Sequence, residues 1–217
     1  MIVVARPFSP HDIVGGHPAL DLVNTVTSRD VAPPIDWLDG YPRLVEWARL
    51  AGIGEAEALD ELIERATASP REAAEALDRL KQFREALYAA YTALIRDETP
   101  PALDVSTIET AWKEAQSRQH LACGDHQVRA RLEIGTSGFD LIRDQIAGSA
   151  VDLLCRLPSD RARLCRGERC GWLFIDSSKG GKRVWCDMAT CGNAAKSRKL
   201  VEGRKGLGRN RAKPRPV

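Results

Sequence analysis

Apolar residues recur at helical spacing through most of the first 157 positions. Leu44, Val45, Ala48 and Leu50 mark an amphipathic stretch over 41–51 that Gly52 closes. Ala58, Leu59, Leu62, Ile63 and Ala66 mark a second over 55–67. Ser69-Pro70-Arg71-Glu72 then reads as a helix start, with serine at the cap, proline at the first helical position and glutamate closing a capping box. The helix it opens carries Leu77, Leu80, Leu87, Tyr91 and Leu94 and should stop near Arg96, ahead of Pro100-Pro101. Ser106 with Glu109 predicts another capped start, leading a short helix through Ile108, Trp112 and Ala115.

The period then changes to two. Val128, Ala130, Leu132 and Ile134 alternate with Arg129, Arg131 and Glu133, the pattern of a strand. Gln119–Cys123 can pair with it across a turn at Gly124-Asp125. Ser137 with Asp140 opens a last helix through Phe139, Ile142, Ile146, Val151 and Leu154, which ends before Pro158. After the linker Pro158-Ser159-Asp160, the runs Trp172–Ile175 and Arg183–Trp185 are β-type and are predicted to pair across SSKGGK. A helical stretch follows the last cysteine, and the residues from Gly203 on have almost nothing to bury and are expected to be disordered alone. The predicted fold class is a mainly α N-terminal domain with a small β-hairpin (1–157), a small α+β treble-clef-like finger (158–202) and a basic tail (203–217).

Four cysteines sit in the second unit as C-x4-C-x15-C-x4-C: Cys165, Cys170, Cys186 and Cys191. Two close pairs separated by a loop are what a tetrahedral all-thiolate site needs, and one structural zinc is the expected ion, with iron the alternative. A complete thiolate shell leaves no position for water or substrate, so metal-based catalysis is not expected. Loss of any one ligand is expected to unfold roughly residues 160–200 and to spare the helical domain.

Charge sharpens the division. From Arg156 on there are 17 Lys and Arg against 5 Asp and Glu, a net of +12, and the residues before carry a net of −10. The basic part should attract polyanions and the acidic part repel them. Lys182, Arg183, Lys196, Arg198, Lys199, Arg204 and Lys205 are the candidate nucleic-acid contacts. Charge alone does not separate DNA from RNA or from an acidic protein surface, so an RNA-binding protein and a protein-interaction module stay open beside a duplex-DNA binder. In the first unit, His17, Asp21 and Asn24 share a face if 19–26 is helical. They are either a ligand pocket or helix-cap and buried hydrogen-bonding groups. No nucleophile–base pair, phosphate loop or paired-carboxylate motif stands out, and the chain is not expected to be an enzyme. No apolar run is long enough to span a bilayer and the N-terminus lacks a secretory pattern, so a cytoplasmic location without membrane contact is expected.

Within the finger, FID (174–176), VWC (184–186), Met188, CGN (191–193) and Lys196 resemble the CGNR-type zinc finger. That finger is the C-terminal part of a family of bacterial putative stress-induced transcription regulators. GGHPALDLVNT (Gly15 to Thr25) is similar to the opening of the domain that precedes it in that family, so the resemblance spans essentially the whole chain. One position departs: Ala194 stands where the family name calls for arginine, with Lys196 and Arg198 close by. The resemblance implies a transcription regulator. Its first domain would sense a signal, for which a small molecule is a candidate, or mediate oligomerisation, for which a homodimer is a candidate.

Overall fold

The helices follow the 3.6-residue spacing of the apolar positions: α1 (Pro18–Val23), α2 (Tyr41–Leu50), α3 (Ala56–Ala68), α4 (Pro70–Ile95), α5 (Ala102–Arg118), α6 (Ile134–Ser137) and α7 (Leu141–Cys155). The structure is a computed structural model and describes residues 1–198 except Ala32 and Asp125. α4 is the central rod. It buries Leu77, Leu80, Phe83, Leu87 and Tyr91 against Leu20, Leu22, Trp47, Leu59, Leu62, Ile142 and Ile146 from the surrounding helices.

α4 starts at Pro70 as expected but without the predicted cap bond, and two other helix starts differ from the sequence expectation. The Ser69 hydroxyl makes no cap bond, so Pro70, with its preset φ, marks the break between α3 and α4. α5 starts four residues before Ser106, at Ala102, because Pro101 in an extended conformation already delivers the chain into the helix and Asp104 favours its first turn. α7 starts at Leu141. Asp140, expected as part of a cap, instead accepts a bidentate pair from Arg79 on α4 at 3.1 Å each.

The strands are short. β1 (Ile2–Val3) runs parallel to β3 (Ile35–Asp36), which pairs antiparallel with β2 (Val26–Thr27). Asp36 fastens this sheet to α4: its carboxylate takes two bonds from the buried Arg84 guanidinium, at 2.8 and 3.0 Å, and a third contact from Lys81 at 3.0 Å. Burial alone would raise the Asp36 carboxyl, but these cations hold it below its ordinary range. β4 (His120–Gly124) and β5 (Gln127–Arg131) form the expected hairpin.

The finger pairs differently from expectation. β7 (Leu173–Ile175) pairs with β6 (Ala162–Leu164), in the register Ala162↔Ile175, Arg163↔Phe174 and Leu164↔Leu173, and not with 183–185. The physical reason is the first cysteine knuckle, which itself forms the turn between β6 and β7. Residues 183–185 lie alongside, and the Arg166 N–H donates to the Val184 carbonyl at 3.3 Å.

β7 also joins the two apolar cores. Leu173 and Ile175 belong with the helical core, whereas Trp172 and Phe174 pack around the four cysteines together with Val14 and Trp37 from the first unit. This is the period-two alternation of a strand covered on both faces.

Candidate metal centre

Cys165 follows β6 directly and Cys170 lies three residues before β7, so one knuckle presents both thiols. Gly167 sits inside it, where a Cβ would come within 2.7 Å of the Cys191 Sγ. A side chain there would collide with a ligand atom. The second pair is delivered by Cys186 and by Cys191, which lies in a single wide helical turn, Met188–Gly192. Asp187 caps that turn by accepting from the Thr190 N–H at 3.1 Å. Residues 193–198 continue as helix.

All four Sγ atoms lie within 4.8 Å of one another, and the Cys170–Cys186 and Cys186–Cys191 separations are both 3.7 Å. A tetrahedron with Zn–S bonds of about 2.3 Å has an S···S edge of about 3.8 Å, so these donors already span a zinc ion's coordination shell. The spacing is also far beyond an S–S bond of about 2.05 Å. The Gly167 and Cys186 N–H groups both donate to the Cys165 Sγ at 3.3 Å, which favours a thiolate there. Contacts from the Cys170, Cys186 and Cys191 thiols hold Cys165 below the ordinary thiol range. The same crowding and burial push Cys170 above it, so a dication is what lets all four be thiolates together. The donor set fits one structural zinc.

The site is set against the first unit. Asn24, 1% exposed, makes a paired contact with β7: its Nδ2 donates to the Leu173 carbonyl and its Oδ1 accepts from the Leu173 N–H, both at 2.9 Å. The Ser28 N–H donates to the carbonyl of the ligand Cys170 at 3.0 Å, and the Ser28 hydroxyl to that of Arg169 at 3.0 Å. The Trp172 indole N–H donates to the Val26 carbonyl at 3.1 Å, and its ring meets Trp37 edge-on at 5.5 Å. Gly171, at φ +73°, lets the knuckle approach so closely that a Cβ there would lie 2.9 Å from the Cβ of Arg29.

His17, Asp21 and Asn24 each have an internal partner. The His17 Nδ1 caps α1 by accepting from the Ala19 N–H at 3.2 Å, and burial lowers its pKa, favouring the neutral ring that can accept. Asp21 accepts from the Gly15 N–H at 2.7 Å. Sequence reasoning singles out His17, Asp21 and Asn24 here but misses that Asn24, Val26, Ser28 and Trp37 meet the finger.

Of the candidate nucleic-acid contacts, Lys182 and Lys196 are exposed, as are the neighbouring Arg166 and Arg169. Arg183 is committed to the finger itself: its guanidinium lies 4.5 Å from the Phe174 ring centroid and its Nε donates to the Trp185 carbonyl. Arg198 reaches back to Glu168 in the first knuckle at 2.8 Å. Ala194 is exposed on the helical segment. Lys199, Arg204 and Lys205 lie outside the described residues.

Residues 16–156 match the family model described as a putative stress-induced transcription regulator (ABATE), and residues 161–202 match that of the CGNR zinc finger. Both are regulator and zinc-finger types and neither is an enzyme family. No curated protein matches the chain. Among the described residues no helix is long and apolar enough to cross a membrane.

Proposed function

We propose that this chain, which belongs to the family of putative stress-induced transcription regulators and carries a CGNR zinc finger, binds duplex DNA in the cytoplasm through the finger while its helical domain responds to a small molecule. The working units are 1–157, 158–202 and 203–217. When bound, zinc cross-links the two knuckles and offers no open position for chemistry. The observation that carries the reading is the exposure of Arg166, Arg169, Lys182 and Lys196 on a finger shaped by the four cysteines. These cations neighbour residues 1–155, of net charge −10, which repel phosphate and so direct a duplex to the finger. Lys199, Arg204 and Lys205 add to the same charge in sequence.

Glu168 supplies the test. It is half of an ion pair with Arg198 and the one acidic residue within the first knuckle. Glu168→Gln frees Arg198 and removes a negative charge from the proposed DNA face, so affinity for duplexes of any sequence should rise. Lys196→Ala and Arg166→Ala should each lower affinity uniformly and reduce the salt slope by about 1. Fluorescence anisotropy with labelled duplexes reads all three. Unchanged affinity in all of them contradicts the placement of DNA on this face.

A further inference from the structure

We infer that the finger seats one phosphate group in the cleft between β6 and the loop before Cys186. This names a phosphate contact for the DNA-binding reading and rests on that reading for the source of the phosphate. The cleft holds about 180 Å³. Arg163, Leu164 and Arg166 line it from β6 and the first knuckle, and Lys182, Arg183 and Val184 from the loop. Sites for whole small molecules run from roughly 300 to 1,000 Å³, so this one takes a small ion or a single group of a larger molecule.

The informative feature is four cations without a carboxylate. No acidic residue lines the cleft. Among the described residues the arginine–carboxylate pairs of the finger are Arg161–Asp160 and Arg198–Glu168, and neither involves a lining residue. Arginines buried in the helical unit are matched instead, Arg84 by Asp36 and Arg143 by Asp144. Two of the cleft's cations are held by neutral groups that leave their charge in place. The Arg163 guanidinium donates to the Ala162 carbonyl at 3.0 Å and to that of Asp160, and the Arg183 guanidinium lies over the Phe174 ring. Arg166 and Lys182 are exposed, and their head groups have no partner among the described residues. Like charges gathered in one cleft repel, and an anion with oxygens on several sides relieves that repulsion. A tetrahedral phosphate does so from both sides of the cleft. Leu164 and Val184 suit the sugar carbons that flank a phosphodiester.

The cleft is braced before any anion arrives. The Asp176 carboxylate accepts from the Ser178 N–H at 2.9 Å and from the Arg183 N–H at 2.7 Å, closing residues 177–182 at their base. Arg161 donates to the Ser178 carbonyl at 2.8 Å. The Arg166 N–H on the Val184 carbonyl ties the knuckle to the loop. With the backbone of both sides fixed, binding has to order only the Arg166 and Lys182 side chains. The seat therefore lies on the β6 side of the finger and does not include Lys196 or Arg198 of the helical segment.

The probes are inorganic phosphate and a short DNA duplex, titrated separately into the zinc-loaded, isotope-labelled full chain and followed by backbone amide NMR shifts. Sodium chloride at equal ionic strength is the reference. Both probes should shift residues 163–166 and 181–184, and chloride should not. Arg166→Gln and Lys182→Gln should each lower duplex affinity about threefold to fivefold, the size of one exposed ion pair. Because both side chains hold the same phosphate, the double variant should lose little more than either alone, whereas cations on separate phosphates would lose the product. The phosphate titration uses the unaltered chain and so does not depend on how the variants fold. Phosphate shifts no larger than those of chloride, duplex binding that leaves the cleft unmoved, or losses that multiply overturn the seat and leave the DNA reading in place. Phosphate shifts in the cleft without duplex binding keep the seat, as a site for free phosphate, and overturn the DNA reading.

Discussion

Asn24 and Asp21 both lie buried on or beside α1, where the helical unit meets the finger, and they respond differently to change. Asn24 satisfies both backbone groups of Leu173. Asn24→Ala leaves that N–H and C=O unpaired in a dry site, and each orphaned group costs about 1–3 kcal/mol. We expect the variant to lose about 2–4 kcal/mol in urea unfolding. A midpoint equal to the parent's would show that the paired contact carries no stability. Asp21 is a carboxyl whose pKa burial raises to about 6, against the opposing pull of the Gly15 and Val14 N–H groups. Its folded pKa lies above its unfolded one. Its stabilising share is therefore complete below about pH 4 and is lost as pH climbs through about 6. The loss amounts to roughly 3 kcal/mol, from a shift of about two pH units. Asp21→Asn keeps the acceptor for Gly15 without the charge, so its stability relative to the parent should grow between pH 4 and 7. A constant difference across that range would place the titration elsewhere.

At the scale of elements, β7 is the shared part. One face packs with the helical core and the other surrounds the cysteines, so the metal's influence should reach past the finger. The Ser28 amide donates to the carbonyl of a metal ligand, Cys170. Stripping zinc should therefore raise hydrogen exchange at Ser28, in the first unit, as well as across residues 162–175. Exchange at Ser28 that ignores the metal would restore the simpler expectation of a finger that unfolds alone. That expectation came from reading local pattern, and local pattern succeeded where the forces are local. The long helices were legible because apolar spacing and prolines mark them. The β4–β5 hairpin was legible from its alternation, and the metal site from cysteine spacing. The sheet of β1, β2 and β3 was not, since strands of two residues show no period. The partner of β7 was misjudged because the knuckle replaces the expected glycine turn as the hairpin's bend. Asn24 meets Leu173 across 149 positions, and no local pattern announces such a contact.

For the whole molecule, the charge division gives the account its most exposed claim. An acidic helical unit and a basic finger held by four thiolates should bind duplex DNA electrostatically, and only with the finger's metal in place. The direct measurement is the affinity of the zinc-loaded full chain for a labelled duplex as salt is raised. With about 5 or 6 phosphates contacted, log affinity should fall against log salt with a slope near −5, and Cys186→Ser should bind far more weakly at every salt concentration. A slope near zero, or equal binding by Cys186→Ser, would contradict the account.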